Sequence, residues 1–237
     1  MLAQLVELHP EGTFLDVACG TGNYTSALAA SGGKWHGVDI SDAMLRQAEE
    51  AHPDIAWKLA GADALPYGDR FFNGAICTLA IHHFPTLHEP FSEVFRVLDS
   101  GPFIIFTAFP DQMRNYWLSH YFPEMMERSI QQMPARNAVT EALQNAGFTV
   151  DDIIPYHVPA DLRDLFLYAG KDRPQLYLDP MVRSNISSFA ALSPPAELHS
   201  GLEALGNDLA TGVFPKIAER YSSSAGDYAF VAARKRA

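Results

Sequence analysis

The chain has 237 residues, 48% of them hydrophobic and 19% charged, which suffices for one sizeable core with a small cap and excludes disorder and collagen-like repetition. Seventeen basic against 28 acidic residues give a net charge of −11, an averaged field that repels nucleic-acid phosphates and anionic lipid. Two cysteines, Cys19 and Cys77, sit in apolar runs and cannot staple a fold of this size, which points to a reducing cytoplasm.

Leu2, Leu5, Val6 and Leu8 recur at helical spacing, in a start that lacks the basic region of an export signal. His9-Pro10-Glu11-Gly12 ends that helix before a strand over 13–18. A helix over 24–30 stops at Gly32-Gly33, and a strand covers 34–39. Ser41 is the N-cap of a helix with Met44, Leu45, Ala48 and Ala51 on one face, closed by Pro53. Strands follow over 55–59 and 75–79. Thr86-Leu87-His88-Glu89 has capping-box spacing before Phe91, Val94, Phe95 and Leu98, and 103–109 reads as an apolar strand covered on both faces.

The carboxyl half is less regular. A helix over 138–146 closes at Gly147, a strand follows over 148–154, and a last strand covers 227–233. Between them, Leu162, Leu165, Phe166 and Ala169 have helical spacing, as do Leu198, Leu202, Leu205 and Leu209 after a cap and first turn at Ser193-Pro194. The tail Arg234, Lys235 and Arg236 is too short to act as an interaction site, and no apolar run approaches the roughly 20 residues that cross a bilayer. The expected partition is 1–109 as a cofactor-binding half, 110–134 as an aromatic lid or substrate segment, 135–159 completing the sheet, 160–226 as a helical lid insertion, and 227–237 as last strand and tail.

Alternating strands and helices with short connections define an α/β chain with a doubly wound, mostly parallel sheet, whose ligands lie beyond the carboxyl ends of the strands. At the first such end stands Asp16-Val17-Ala18-Cys19-Gly20-Thr21-Gly22, a glycine-bearing turn that lets a ligand approach the backbone. Asp16 gives the turn a sign: its carboxylate repels a pyrophosphate and attracts a ligand bearing ammonium or sulfonium. Thr25 occupies the place of the third glycine in a dinucleotide fingerprint. Nineteen residues after Gly20, Asp39 ends the second strand where an acid can accept both ribose hydroxyls, or simply lead the helix after Ser41. Asp63 follows the third strand, and His82-His83 follows the fourth.

These stretches, with Phe95-Arg96-Val97-Leu98-Asp99-Ser100-Gly101, resemble the class I S-adenosylmethionine-dependent methyltransferases, in the small-molecule group that includes the ubiquinone and menaquinone biosynthesis enzymes. Residues 161–166 and 183–189 are similar to a bacterial subgroup of these enzymes, some associated with antibiotic biosynthesis. The resemblance implies a Rossmann-like seven-stranded sheet with an antiparallel last strand and helical lid insertions. It also implies S-adenosylmethionine as cofactor. Gly20 and Gly22, with Ala18, Cys19 and Thr21, would admit the methionine part, Asp16 would hold its ammonium directly or through water, and Asp39 would bind the ribose. Ala62, Asp63 and Ala64 would face the adenine, Ile40 and Met44 would pack on it, and Leu79 would offer a main-chain carbonyl to the ammonium. Ala18 stands where the family often has glycine, a change tolerated if the local angles are ordinary. Relatives usually carry an extra amino-terminal helix over the cofactor, whereas this sequence reaches its first strand after a dozen residues.

The reaction so implied is an in-line methyl transfer to O, N or C of a small, largely apolar or aromatic acceptor. If the acceptor carries a proton, His83 or His82 is placed to remove it, and the alternative for His83 is packing against the cofactor. His82, His83, Tyr116, Trp117 and His120 are the expected acceptor-side residues. The aromatics and methionines of 110–134 fit either an acceptor pocket or ordinary core. Histidines and acids are too scattered for a metal site. Alternatives are a catalytically silent S-adenosylmethionine-binding regulator and a nicotinamide-dependent oxidoreductase.

Overall fold

The structure is a computed structural model that describes Leu2 and residues 10–162 and 164–236. Leu5, Val6 and Leu8 of the expected first helix, and Arg163, lie outside the described residues. Seven strands, β1 (Thr13–Val17), β2 (Lys34–Asp39), β3 (Ala56–Leu59), β4 (Gly74–Thr78), β5 (Gly101–Thr107), β6 (Thr149–Tyr156) and β7 (Tyr228–Lys235), form one sheet in the order β3-β2-β1-β4-β5-β7-β6. The sheet is mostly parallel with β7 antiparallel, as in Rossmann-like methyltransferases. Central strands of such a sheet are covered on both faces, and β4 is buried along its whole length.

The register positions the site. β1 lies between β2 and β4, with Asp16 level with Gly37 on one side and Ile76 on the other, while Asp39 is level with Leu59 on β3. Since β1 to β4 run parallel, Val17, Asp39, Leu59 and Thr78 end on one edge.

The chain divides into two units, unit 1 comprising Met1–Thr107, Ala135–Ile154 and Phe230–Ala237, and unit 2 comprising Ala108–Pro134 and Pro155–Ala229. In unit 1, helices α1 (Asn23–Ala29), α2 (Asp42–Ala51) and α3 (His88–Val97) follow β1, β2 and β4. Phe14, Leu28, Trp35, Ile76 and Ile104 form a core cluster in which the Phe14 and Trp35 rings stack at 5.0 Å. Ser41 caps α2 as expected, accepting from the Met44 N–H at 3.4 Å.

Three expectations for unit 1 change. The capping box at Thr86 does not form, because α3 starts one residue later than that box requires, with Leu87 as N-cap. Thr86 instead donates its hydroxyl to the Glu89 carboxylate. The fifth strand ends at Thr107, not 109, where Pro110 cannot donate to a ladder and opens the helix Pro110–Met113. The last strand runs to Lys235, not 233, and the Lys235 Nζ donates to the carbonyls of Phe95 (2.8 Å) and Leu98 (2.6 Å) at the end of α3. A cation there satisfies carbonyls that have no partner within the helix.

Unit 2 is helical, with the long helix Pro195–Thr211 and the helix Pro123–Gln132. Glu197 lends its two carboxylate oxygens to the N–H groups of Glu124 (2.5 Å) and Met125 (2.9 Å), the first turn of the latter helix, which has no side-chain cap of its own. The long helix starts with Pro194 as N-cap and Pro195 at the first turn, so the expected cap at Ser193 lies one residue too early. The expected helix through Leu162, Leu165, Phe166 and Ala169 is absent; the described residues there form turns and irregular chain. Carbonyls that would propagate such a helix are taken from outside it. Arg173 donates to Leu162 and Ala169, the Tyr177 hydroxyl donates to Leu167 at 2.5 Å, and Gly170 lies under the Tyr177 ring, 2.4 Å from where a Cβ would stand.

Candidate functional site

β1 drives Asp16 into the core of unit 1, where it is fully buried. Its Oδ2 accepts from the Thr25 hydroxyl at 2.6 Å, whereas Oδ1 is buried with no partner among the described residues. Burial, opposed by the Thr25 hydrogen bond and reinforced by the nearby Asp39 charge, pushes the Asp16 carboxyl up to about 7. The chain then turns through Ala18, Cys19, Gly20, Thr21 and Gly22, held by the Cys19 N–H on the Val38 carbonyl (3.0 Å) and the Gly22 N–H on the Cys19 carbonyl (3.0 Å). Cys19 is raised well above its ordinary range, first by burial and then by Asp16 and Asp39.

The angles of that turn are not ordinary. Ala18 has φ 57°, Gly20 56° and Gly22 77°, so Ala18 holds a left-handed conformation that a Cβ disfavours. Ala18→Gly is therefore expected to raise stability by up to about 1 kcal/mol, partly offset by the greater chain freedom of glycine when unfolded, and to raise Tm by a few degrees in a thermal melt.

Asp39 bridges the turn to the next strand end. Its Oδ2 accepts from the Gly20 N–H and its Oδ1 from the Ser41 N–H, both at 2.8 Å. Beyond it, Ile40 is 79% and Met44 45% exposed, an apolar lip beside a buried carboxylate. The third strand's loop is tied to the same place by the Ala60 N–H on the Asp39 carbonyl (3.0 Å), and it turns through Gly61, Ala62, Asp63 and Ala64 with the exposed Asp63 carboxylate folded against Gly61.

Trp57 is a site-shaping residue that sequence reasoning missed. Its ring covers Gly22 and Gly37: a Cβ on Gly22 would stand 2.4 Å from the ring and one on Gly37 2.3 Å. At Gly22 the close approach that glycine permits is thus made by this indole. On Gly20 a Cβ would meet only the Met44 sulfur at 3.7 Å. The missed signal was a tryptophan in a short strand opposite a glycine, legible only once the β2–β3 register is known.

At the end of β4, Leu79 also has a left-handed φ of 53°, and its N–H donates to the Phe106 carbonyl at 2.7 Å. A single 3-10 turn, Ile81–His83, follows. The His82 and His83 rings lie 4.0 Å apart; His83 is exposed, while His82 is half-buried with its Nδ1 buried and unpartnered among the described residues. Burial, and then the neighbouring His83, lower the His82 imidazole to about 4, so it is neutral at physiological pH.

In unit 2, Tyr116 and Trp117 are core residues. The Tyr116 hydroxyl is 2.6 Å from that of Tyr177, its ring stacks on Tyr168 at 3.9 Å, and the Trp117 indole N–H donates to the Lys171 carbonyl at 3.1 Å. His120 is exposed, edge-on to Tyr121. Among the described residues, no three His, Cys, Asp or Glu gather as metal ligands, and no helix is long and apolar enough to cross a membrane.

Comparison with known proteins points to one family. A family model described as "Methyltransferase domain" matches residues 14–101. The chain is 28% identical to demethylmenaquinone methyltransferase of Chlorobaculum tepidum over 166 residues, 61% of this chain and 69% of that protein. It is 25% identical to phthiotriol/phenolphthiotriol dimycocerosates methyltransferase of Mycobacterium tuberculosis over 165 residues, 67% of this chain and 58% of that one. The crystal structure of a candidate methyltransferase from an antibiotic biosynthesis pathway of Anabaena variabilis superimposes with a TM-score of 0.85 and 33% identity, covering 98% of this chain and 95% of that one. The chain belongs to the class I S-adenosylmethionine-dependent methyltransferases, and its cofactor is S-adenosylmethionine. Membership in this family sets aside the nicotinamide-dependent alternative.

Proposed function

We propose that the protein transfers a methyl group from S-adenosylmethionine to O, N or C of a small, largely apolar or aromatic acceptor, with the cofactor held at the strand ends of unit 1. The observation that carries this reading is the pair of buried acids, Asp16 with an unpartnered Oδ1 and Asp39 fastened to the Gly20 and Ser41 amides. A buried carboxylate oxygen without a donor fits a ligand ammonium, and a carboxylate held by two amides keeps lone pairs for two ribose hydroxyls. Gly20 and Gly22, with Ala18, Cys19 and Thr21, line the methionine side, and Leu79 offers its carbonyl. Ile40 and Met44 would pack on the adenine, and Asp63, between Ala62 and Ala64, would accept from its amino group.

When bound, S-adenosylmethionine supplies a methyl carbon made electrophilic by its sulfonium. The protein's part is to align and desolvate. His82 or His83 takes the acceptor's proton on a ring nitrogen where the acceptor carries one. His82 is neutral, hence receptive, down to about pH 4, at the cost of being a weak base. The likeness to demethylmenaquinone methyltransferases supports an apolar or aromatic acceptor. Two free cysteines support a reducing, cytoplasmic compartment.

Calorimetric titration with S-adenosylhomocysteine tests the cofactor site, with saturable 1:1 binding expected. Incubation with S-adenosylmethionine and a library of phenols, amines and enols, read by formation of S-adenosylhomocysteine, tests transfer. Binding without any product across the library would instead mark a silent cofactor-binding protein, and absence of binding would remove the reading.

A further inference from the structure

We infer that Thr25 is a positioning residue that makes Asp16 a one-oxygen, proton-gated acceptor, so that the cofactor's ammonium binds as Asp16 gives up a proton to solvent. This device rests on the ammonium-holding role proposed above for Asp16 and adds to it a direction of charge change and the residue that sets it.

The geometry is that of an unfinished hydrogen-bond set. Asp16 and Thr25 are both fully buried, and the threonine hydroxyl, in the first turn of α1, donates to Oδ2 at 2.6 Å. A β-branched side chain in a helix has few χ1 choices, so this donor is fixed in place. It occupies one oxygen and leaves the other, Oδ1, buried without a partner among the described residues. Among the described residues, the groups that bear on the Asp16 carboxyl bring no positive charge. β2 presents Asp39, while the turn and β4 present the thiols of Cys19 and Cys77, both kept protonated by burial and by these same acids.

An anionic Oδ1 in that setting is desolvated and faces a second acid, so the free protein favours the protonated carboxyl, in keeping with a midpoint pushed up to about 7. An ammonium at Oδ1 supplies both the missing donor and the missing charge, and the carboxylate becomes the stable form. The protonated carboxyl cannot pair with the cation, so apparent affinity falls as pH drops below the free midpoint, and it falls again, equally for wild type and Thr25 variants, where the ligand's own ammonium gives up its proton. Without the Thr25 donor, both oxygens would lack partners and the midpoint would move further up.

The test uses the full chain and two independent readouts. The Asp16 carboxyl is titrated in the ligand-free protein by infrared difference spectroscopy, assigned with Asp16→Asn. A midpoint near 7 is expected for wild type and Thr25→Ser, and one about a unit higher for Thr25→Val. S-adenosylhomocysteine is then titrated calorimetrically in buffers of different ionisation heat. Wild type should bind about tenfold more weakly at pH 6 than at pH 8, releasing about 0.9 proton at pH 6 and about 0.1 at pH 8. Thr25→Val should bind about fivefold more weakly than wild type at pH 7 and equally well at pH 9, with Thr25→Ser following wild type.

A role in packing alone predicts that Thr25→Val loses the same factor at every pH, and that result would overturn the inference. So would a free Asp16 midpoint in the ordinary carboxylate range, or binding without proton release. A midpoint near 7 with no binding of S-adenosylhomocysteine at any pH would strike the cofactor assignment itself, and the coupling with it.

Discussion

Asp39→Ala is expected to weaken S-adenosylhomocysteine binding by at least about a hundredfold and to lower stability by about 2 kcal/mol. The two effects have one source. Asp39 accepts from the Gly20 and Ser41 amides at 2.8 Å each, so it joins the cofactor turn to the start of α2 as well as offering lone pairs for ribose hydroxyls. Removing it leaves two amides without their acceptor beside a turn already in left-handed geometry. Tm should fall by roughly 4–8 °C at the sensitivity of a chain of this size. Titration at 10 °C, where both proteins are folded, separates binding from stability. Wild-type affinity of folded Asp39→Ala under those conditions would remove the ribose assignment.

Gly37→Ala is the second large effect, with an expected loss of about 3 kcal/mol and a Tm lower by roughly 6–12 °C. The backbone there suits any residue, so the cost is steric alone. The added methyl would stand 2.3 Å from the Trp57 ring and 2.8 Å from the Cys19 sulfur. Since the ring is the obstacle, Gly37→Ala combined with Trp57→Ala should cost clearly less than the sum of the two single changes. A double-mutant cycle in urea reads this coupling directly. Strict additivity would show that the strand, not the indole, excludes the methyl.

Much of the fold is legible in the sequence because it is local. The alternation of strand and helix through Thr107, the Ser41 cap and the acids at the ends of β1 and β2 follow from periodicity and turn chemistry within short windows. The glycine turn is legible in place but not in purpose. Gly22 looks like an opening for ligand, yet the nearest occupant of its Cβ position is Trp57, brought there by β2–β3 pairing. Ala18 looks like a mild departure from glycine, and only its backbone angle shows the strain.

The errors in the carboxyl half have a common cause. Leu162 to Ala169 carries a helical pattern, but Arg173 and Tyr177 from further along the chain take its carbonyls, a contest between local propensity and later contacts that periodicity cannot score. Tyr116 and Trp117 illustrate the same limit. Composition marks an aromatic segment, whereas burial with Tyr168 and Tyr177 is decided by residues some fifty or sixty positions away.

The protonated thiols have a practical consequence. Alkylating reagents attack the thiolate, and Cys19 and Cys77 are both held well above their ordinary titration range, Cys77 in full burial. At neutral pH neither cysteine should compete for maleimide. A single cysteine introduced on the surface can then carry a fluorophore on the otherwise unaltered chain, and the native thiols become a reporter of unfolding, labelled only when the chain opens.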